Sequence, residues 1–178
     1  MDVGLLLVRA VLGAIMAAHG AQKLLGWFGG HGLAGTGGWL ESMGFKPARL
    51  HARVVALAEL GGGLLLALGL LTPLGAAAVS GVMLVAIATV HWSNGFFNTS
   101  GGYEFNLLIA ATAIALAITG PGALSIDYLA GRVLAGPAWG IAALVTSAAA
   151  AAAVLAMRRA HLARAQAQGP HEELPARP

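Results

Sequence analysis

The chain has 178 residues, of which 58% are hydrophobic and only 10% are charged. Soluble domains carry about 25% charged residues, so this composition excludes an ordinary soluble enzyme and indicates an integral membrane protein surrounded by the lipid bilayer. The net charge of +3 comes from few groups that flank apolar segments, which indicates membrane anchoring and no nucleic-acid partner. The absence of cysteine excludes disulfides, cysteine-ligated iron–sulfur clusters and a thiol relay on this chain.

Five apolar segments predict an all-α bundle of membrane-spanning helices. They cover residues 3–26, 54–71, 74–90, 103–119 and 138–157. The first would be about 36 Å long at ~1.5 Å per residue, so it easily crosses a hydrocarbon core of ~30 Å. Between the second and third segments, Thr72 as N-cap and Pro73 at the first helical position predict a tight helical hairpin.

The chain divides into three parts. Residues 1–128 predict a four-helix membrane core, 129–158 an additional transmembrane helix, and 159–178 a disordered tail that is polar and basic. The additional helix is rich in alanine, but its length and the basic pair Arg158-Arg159 at its end favour a spanning helix. The bias towards alanine, glycine and arginine is typical of a bacterial protein, so we expect a multi-pass protein of the inner (plasma) membrane.

Two connections, 27–49 and 92–102, are rich in glycine and aromatic residues and are expected to be loops. Because the helices alternate in direction, both connections lie at one end of the bundle, which we call the loop-rich end. With five spanning helices this end also receives the basic residues after position 157, and the positive-inside rule then places it in the cytoplasm. With four helices the basic residues divide between the two ends and the rule gives no orientation.

Five ionisable residues lie inside or at the mouth of the predicted helices, near the loop-rich end. These candidate catalytic residues are Glu59, His19, Lys23, His91 and Glu104. An ionised side chain in hydrocarbon costs at least ~2.5 kcal/mol on insertion scales, so such residues are candidates for function. Gln22 shares a helix face with His19 and Lys23, and the depths of His19 and Glu59 agree within about one turn.

Two interpretations of Glu59 stay open. Paired with Lys23 or His19, it could hold the first two spanning helices together, or it could form a proton-coupled site. Haem and metal are not expected: His19 and His91 lie at different depths, and neither Glu-x-x-His nor His-Glu-x-x-His is present.

The aromatic residues of the two connections allow two interpretations. They could form an aromatic belt at the membrane interface, or they could form the wall of a flat apolar pocket. A quinone suits such a pocket, because its ring is apolar and its carbonyls need hydrogen-bond donors and protons. The candidate contacts for a quinone substrate are Gln22, Trp27, Phe28, Trp92, Phe96, Phe97 and Asn106.

Several motifs resemble the DoxX family of small bacterial membrane proteins, in order over about residues 4–128. They include His19-Gly20-Ala21-Gln22-Lys23, Gly26-Trp27-Phe28-Gly29-Gly30, Ala58-Glu59-Leu60-Gly61-Gly62-Gly63, Asn94-Gly95-Phe96-Phe97 and Gly101-Gly102-Tyr103-Glu104-Phe105-Asn106. The resemblance implies a four-helix membrane bundle, similarity to the membrane subunit of a thiosulfate:quinone oxidoreductase, and a link to redox or sulfur-stress functions.

The first functional hypothesis is a membrane redox subunit, an oxidoreductase component, that binds quinone and exchanges protons at the loop-rich end. Glu59 and His19 would exchange protons with the quinone oxygens, Lys23 would stabilise the reduced anion, and His91 and Glu104 would relay protons to water. Electrons would come from a soluble redox partner or a small reductant, and a homo-oligomer is a further expectation. The alternatives are a scaffold that docks a soluble redox or stress-response enzyme, and a small-solute transporter, for which no inverted repeat is visible.

Overall fold

The structure, a computed structural model, describes residues 2–167, and all of its secondary structure is helical. The α-helices are α1 Asp2–Leu25, α2 Gly32–Ser42, α3 Ala48–Leu68, α4 Thr72–Ala86, α5 Glu104–Thr119, α6 Ile126–Leu129 and α7 Pro137–Ala167. Helix α4 continues through a π-helical turn, Ile87–His91, into a 3-10 turn, Trp92–Asn94, and a further 3-10 turn covers Asn98–Ser100. The predicted all-α membrane bundle is confirmed.

Four helices in the described part of the chain are long and apolar enough to cross a membrane: α1, α3, α4 with its continuation, and α7. Helix α5 has 16 residues, about 24 Å at ~1.5 Å per residue, but it runs between the same two ends of the bundle. At the loop-rich end the Glu104 N–H donates to the Phe96 carbonyl (2.9 Å), and at the opposite end the Gly136 N–H donates to the Ile118 carbonyl (2.7 Å). Five helices therefore pass from one end to the other.

The connection 27–49 is not the loop that its glycines predict. It contains α2, and α3 begins at Ala48, more than one and a half turns before the apolar segment 54–71 that predicted it. Glycine costs up to ~1 kcal/mol in a helix interior, but packing can override that propensity. Here Leu40 of α2 is buried with Phe45 and Ala52 against α3, which explains why a glycine-rich segment is helical.

Helix α7 also differs from its predicted extent. It continues to Ala167, so the prediction of a disordered tail is wrong for residues 159–167, while 168–178 lie outside the described residues. The Arg158 Nε–H donates to the Met43 carbonyl (2.7 Å), and Leu162 packs against Gly44. The basic end of α7 thus lies at the loop-rich end, as the five-helix arrangement requires.

Helices α1 and α3 pack closely because glycines on each helix lie against the backbone of the other. A Cβ on Gly13 would overlap the carbonyl of Gly63, and a Cβ on Gly20 would overlap the backbone of Leu60. In lipid, where helices gain little from burying apolar surface against each other, small residues allow the close backbone approach that drives packing. This contact determines which residues of α1 and α3 can meet.

At the end opposite the loop-rich end, two charged side chains form hydrogen bonds with the backbone at the helix ends. The Asp127 carboxylate accepts from the backbone N–H groups of Leu71 (3.0 Å) and Thr72 (3.3 Å), so Asp127 caps α4. The predicted N-cap Thr72 is wrong: α4 already includes Thr72, its N-cap is Leu71, and the Leu71 carbonyl accepts from the N–H groups of Leu74 (2.8 Å) and Gly75 (3.2 Å) that a Thr72 hydroxyl would have bound. Arg9, buried in α1, donates to the Ala67 carbonyl at the end of α3 (2.8 Å) and to the Leu124 carbonyl.

Candidate functional site

The centre of the site is an ion pair between α1 and α3. Lys23 lies in the last turn of α1 and Glu59 in the middle of α3, and the glycine contact beneath them brings the two helices close. The Lys23 Nζ lies 2.5 Å from the Glu59 Oε2. The Glu59 side chain is only 4% exposed, whereas that of Lys23 is 24% exposed, so the pair is buried on one side and accessible on the other.

A cavity of about 590 Å³ opens beside this pair, between α1, α3, α4, α5 and α7 and below α2. Most of its wall is apolar and consists of valine, alanine, methionine and leucine side chains. The polar side chains in the wall are His19, Lys23, His51, Glu59, Thr89, His91, Asn98 and Asn106. Small-molecule sites commonly have about 300–1,000 Å³, mostly apolar, with a few polar groups, and this cavity has that character.

The structure brings five of the sequence-predicted residues into this wall. They are His19, Lys23, Glu59, His91 and Asn106. The His91 imidazole is oriented by a hydrogen bond between its Nδ1 and the Gly101 carbonyl (2.7 Å). The Asn106 amide donates to the Met83 sulfur (3.4 Å), a weak acceptor, so the rest of the amide remains free to bond a ligand.

Glu104 and Gln22 do not line the cavity. Glu104 is half-buried and begins α5. The Gln22 amide donates to the Phe28 carbonyl (3.2 Å), and Gln22 borders a smaller space of about 310 Å³ beside Lys23. Lys23 and Trp39 line both spaces and therefore lie between the large cavity and this smaller recess.

The five aromatic residues predicted as contacts lie outside the cavity. Trp27 and Phe28 are 58% and 70% exposed and pack edge-to-face with each other. Trp92 stacks on Tyr103, with ring centroids 5.3 Å apart, while Phe96 packs edge-on against both Phe97 and Tyr103. Trp92, Phe96 and Phe97 form an exposed aromatic cluster with Tyr103 at the loop-rich end, and Trp27 and Phe28 form an exposed pair. The cavity wall takes its aromatic rings from other positions.

One of these other positions, Trp39, belongs to the aromatic residues of the connection 27–49 that the sequence offers as a pocket wall. The sequence did not single out the other lining residues Phe45, Phe105, His51, Ala150, Ala151 and Val154. His51, Val55 and Glu59 recur at the i, i+4 spacing of one helix face, a signal that could have found His51. It was missed because charged residues around His51 moved the predicted start of the helix beyond it.

A second Lys–Glu pair lies at the same end but outside the spans and the cavity. Lys46 contacts Glu41 of α2, and both side chains are exposed. The hydrogen bond from Lys46, and its charge, hold the pKa of Glu41 below its usual range. Within residues 2–167, no three histidine, aspartate or glutamate side chains are grouped as a metal ion would need.

The fold defines this chain as a polytopic helical membrane protein with an internal, mostly apolar cavity at one end. More particularly, it belongs to the DoxX family, whose model matches residues 4–92, as the motifs predicted.

Two known proteins align with this chain over most of their own length. "Inner membrane protein YqjF" of Escherichia coli (strain K12) is 35% identical over 128 residues, which are 72% of this chain and 92% of the relative. "Putative oxidoreductase CatD" of Bacillus subtilis (strain 168) is 34% identical over 126 residues, which are 71% of this chain and 86% of the relative. No solved structure matches the chain significantly.

Proposed function

We propose that this chain is a quinone-interacting subunit of a bacterial inner-membrane redox system, and that the Lys23–Glu59 pair is its proton-coupled site. One observation carries the proposal: an ion pair with a buried carboxylate stands in the wall of an apolar cavity within a membrane bundle. A quinone combines the two properties that such a site complements, an apolar ring and carbonyl oxygens that take up protons.

Reduction of a quinone to a quinol takes two electrons and two protons. Glu59 and His19 exchange protons with the quinone oxygen, acting as general acid and base, while the Lys23 ammonium stabilises negative charge that develops on that oxygen. His91, the last residue of the π-helical turn that follows α4, passes protons between the cavity and water. The electrons come from a soluble redox partner or a small reductant at the loop-rich end.

The relatives support this proposal in two ways. One is named an inner membrane protein, which favours the same location, and the other carries oxidoreductase in its name, which favours redox chemistry. The basic residues near the loop-rich end, including Arg158 and Lys46, favour a cytoplasmic position for it and give a docking partner an electropositive surface.

The test is a thermal-shift titration of the detergent-purified protein with ubiquinone and menaquinone analogues. Wild type is compared with Glu59→Gln and with the matched control Glu41→Gln, which removes the carboxylate of the exposed Lys46 pair. We expect saturable stabilisation of wild type and of the control, and its loss in Glu59→Gln. The absence of a shift with either quinone, in protein that unfolds cooperatively, would overturn the proposal.

A second candidate function, a scaffold that docks a soluble enzyme, is favoured by the exposed aromatic cluster at the loop-rich end. Phe97 is 65% and Trp92 66% exposed, and neither lines the cavity. Paired alanine substitutions there should release a co-purifying partner, while Glu59→Gln should leave the partner bound. If no partner co-purifies from mild detergent or after cross-linking in membranes, the scaffold function is wrong.

A further inference from the structure

His51 is a buried histidine that the proposed proton chemistry does not use. It lies in the second turn of α3, is 9% exposed and lines the cavity. Its ring packs edge-on against Phe45, with centroids 5.5 Å apart and planes at 61°. No hydrogen bond joins its imidazole to any side chain or backbone group among residues 2–167.

A buried imidazole without a partner is unusual, because buried polar groups are nearly always hydrogen-bonded. A neutral imidazole carries one donor and one acceptor. Among the side chains that the structure describes, Arg9 Nε is the nitrogen that is inaccessible to solvent and also lacks a hydrogen-bond partner. The His51 nitrogens lack a partner as well, so they must be accessible to solvent or to a ligand. Since His51 is part of the cavity wall, a ligand in the cavity is the natural hydrogen-bond partner for these nitrogens.

We infer that His51 is a second hydrogen-bonding residue of this cavity and that it selects ligands with two polar atoms on opposite sides of a ring. The inference rests on the proposed function and deepens it, since it assigns the second carbonyl of the quinone. Glu59 bonds one ligand oxygen and His51 the other.

The spacing of the two residues on α3 supports this assignment. His51 and Glu59 are separated by about 12 Å along the axis, at ~1.5 Å per residue, and both line the same cavity. Both side chains lean towards the N-terminus of the helix, as helical side chains do. Two hydrogen bonds of about 2.8 Å then leave roughly 6 Å between the bonded ligand atoms, a span that suits para oxygens across a six-membered ring and is too long for adjacent oxygens.

The rest of the structure holds the His51 ring in place. The Arg158 guanidinium of α7 lies over Phe45, 5.5 Å from the ring centroid, and Phe45 packs in turn on His51. Arg158 is itself bonded to the Met43 carbonyl (2.7 Å). The imidazole therefore has a braced orientation, which suits a residue that positions a ligand.

The test compares two probes that bind to the full-length protein in nanodiscs: a 1,4-benzoquinone with a short prenyl tail, and a phenol with the same tail, which has one ring oxygen. The variants are His51→Phe, which keeps the aromatic contact with Phe45 but removes both nitrogens, His51→Gln, which keeps a donor and an acceptor, and His161→Gln as a histidine control outside the cavity. The loss of one hydrogen bond in the His51→Phe variant should weaken its binding of the quinone about 3- to 10-fold. The His51→Gln and control variants should stay close to wild type, and phenol binding should be the same in all.

A second measurement covers the case in which His51→Phe does not fold. Infrared spectra of the bound, site-specifically ¹³C-labelled quinone report each carbonyl separately, so both bands should be shifted in wild type and in His51→Gln, and one should be released in His51→Leu. Quinone binding that is equal in wild type and His51→Phe, or one unshifted carbonyl in wild type, would overturn the role of His51 alone. Failure of wild type to bind the quinone at all would overturn the proposed function together with this inference.

Discussion

Lys23 and Glu59 meet across the α1–α3 contact at 2.5 Å, at a level where the backbones of Gly20 and Leu60 already touch. The close helix contact and the ion pair therefore depend on each other. The pair is buried on the side of Glu59 and accessible from the cavity on the side of Lys23, so it can both stabilise the bundle and take part in chemistry.

Removal of one partner of this pair should destabilise the protein more than removal of both. Lys23→Met leaves the Glu59 carboxylate buried without a cation, and we expect a loss of about 3 kcal/mol in the free energy of unfolding. The double variant Lys23→Met/Glu59→Gln should recover a large part of it, because no charge is then left unpaired. Thermal unfolding in detergent measures both, with Lys46→Met at the exposed pair as a control that should show no measurable change. Additive effects of the two single substitutions would contradict the expected coupling.

The glycine contact makes a sharper prediction, because α1 carries its own control. Gly20→Ala places a Cβ in the backbone of Leu60 and should cost about 1–3 kcal/mol through overpacking. Gly4→Ala lies on the same helix with nothing within 4 Å of the new Cβ, so it should be neutral or stabilising by up to ~1 kcal/mol. The melting temperature should therefore fall in Gly20→Ala and stay unchanged or rise in Gly4→Ala. Equal shifts would mean that helix propensity, and not the contact with α3, governs both positions.

The cap on α4 should be lost when the Asp127 carboxylate is removed. Asp127→Ala leaves the N–H groups of Leu71 and Thr72 without their acceptor, and we expect a loss of about 1–2 kcal/mol. Asp127→Asn keeps one acceptor oxygen and should lose less. Thr72→Val tests the alternative cap: it should change stability less than Asp127→Ala, and the opposite order of melting temperatures would restore the Thr72 side chain as the main cap.

The end of α7 should loosen when its contact with the α2–α3 connection is removed. Arg158→Ala eliminates both the hydrogen bond to Met43 and the contact with the Phe45 ring. Hydrogen exchange in nanodiscs should then accelerate in α7 from Val154 onwards and in residues 43–45. The neighbouring Arg159, which is exposed, supplies the control: Arg159→Ala should leave exchange unchanged. Equal exchange in Arg158→Ala and wild type would show that apolar packing alone holds this end.

The sequence by itself predicted the parts of this protein that depend on local composition. Long apolar runs can only be helices in lipid, since every backbone N–H and C=O must be paired within the segment, and this is why all five helices that pass through the bundle were found. The cost of a charge in hydrocarbon likewise drew attention to Glu59, Lys23 and His19, which the structure brings into one cavity wall.

What the sequence did not predict depends on contacts between distant segments. Helix α2 forms in a glycine-rich stretch because Leu40 packs on α3, and Asp127 replaces Thr72 as a cap because a connection more than fifty residues later folds back onto it. Similarly, Trp27, Phe28, Trp92, Phe96 and Phe97 were predicted as quinone contacts but lie outside the cavity, which is lined by Trp39, Phe45 and His51.

Which side chains face a shared space is decided by helix packing, and packing is set by three-dimensional fit between surfaces that no local pattern encodes. Hydropathy and charge therefore determined that this is a membrane helical bundle with ionisable residues near one end. Only the tertiary structure decided that Lys23 pairs with Glu59, that α7 contributes to the cavity wall, and that His51 lines it, because each of these requires two or more helices to be in place.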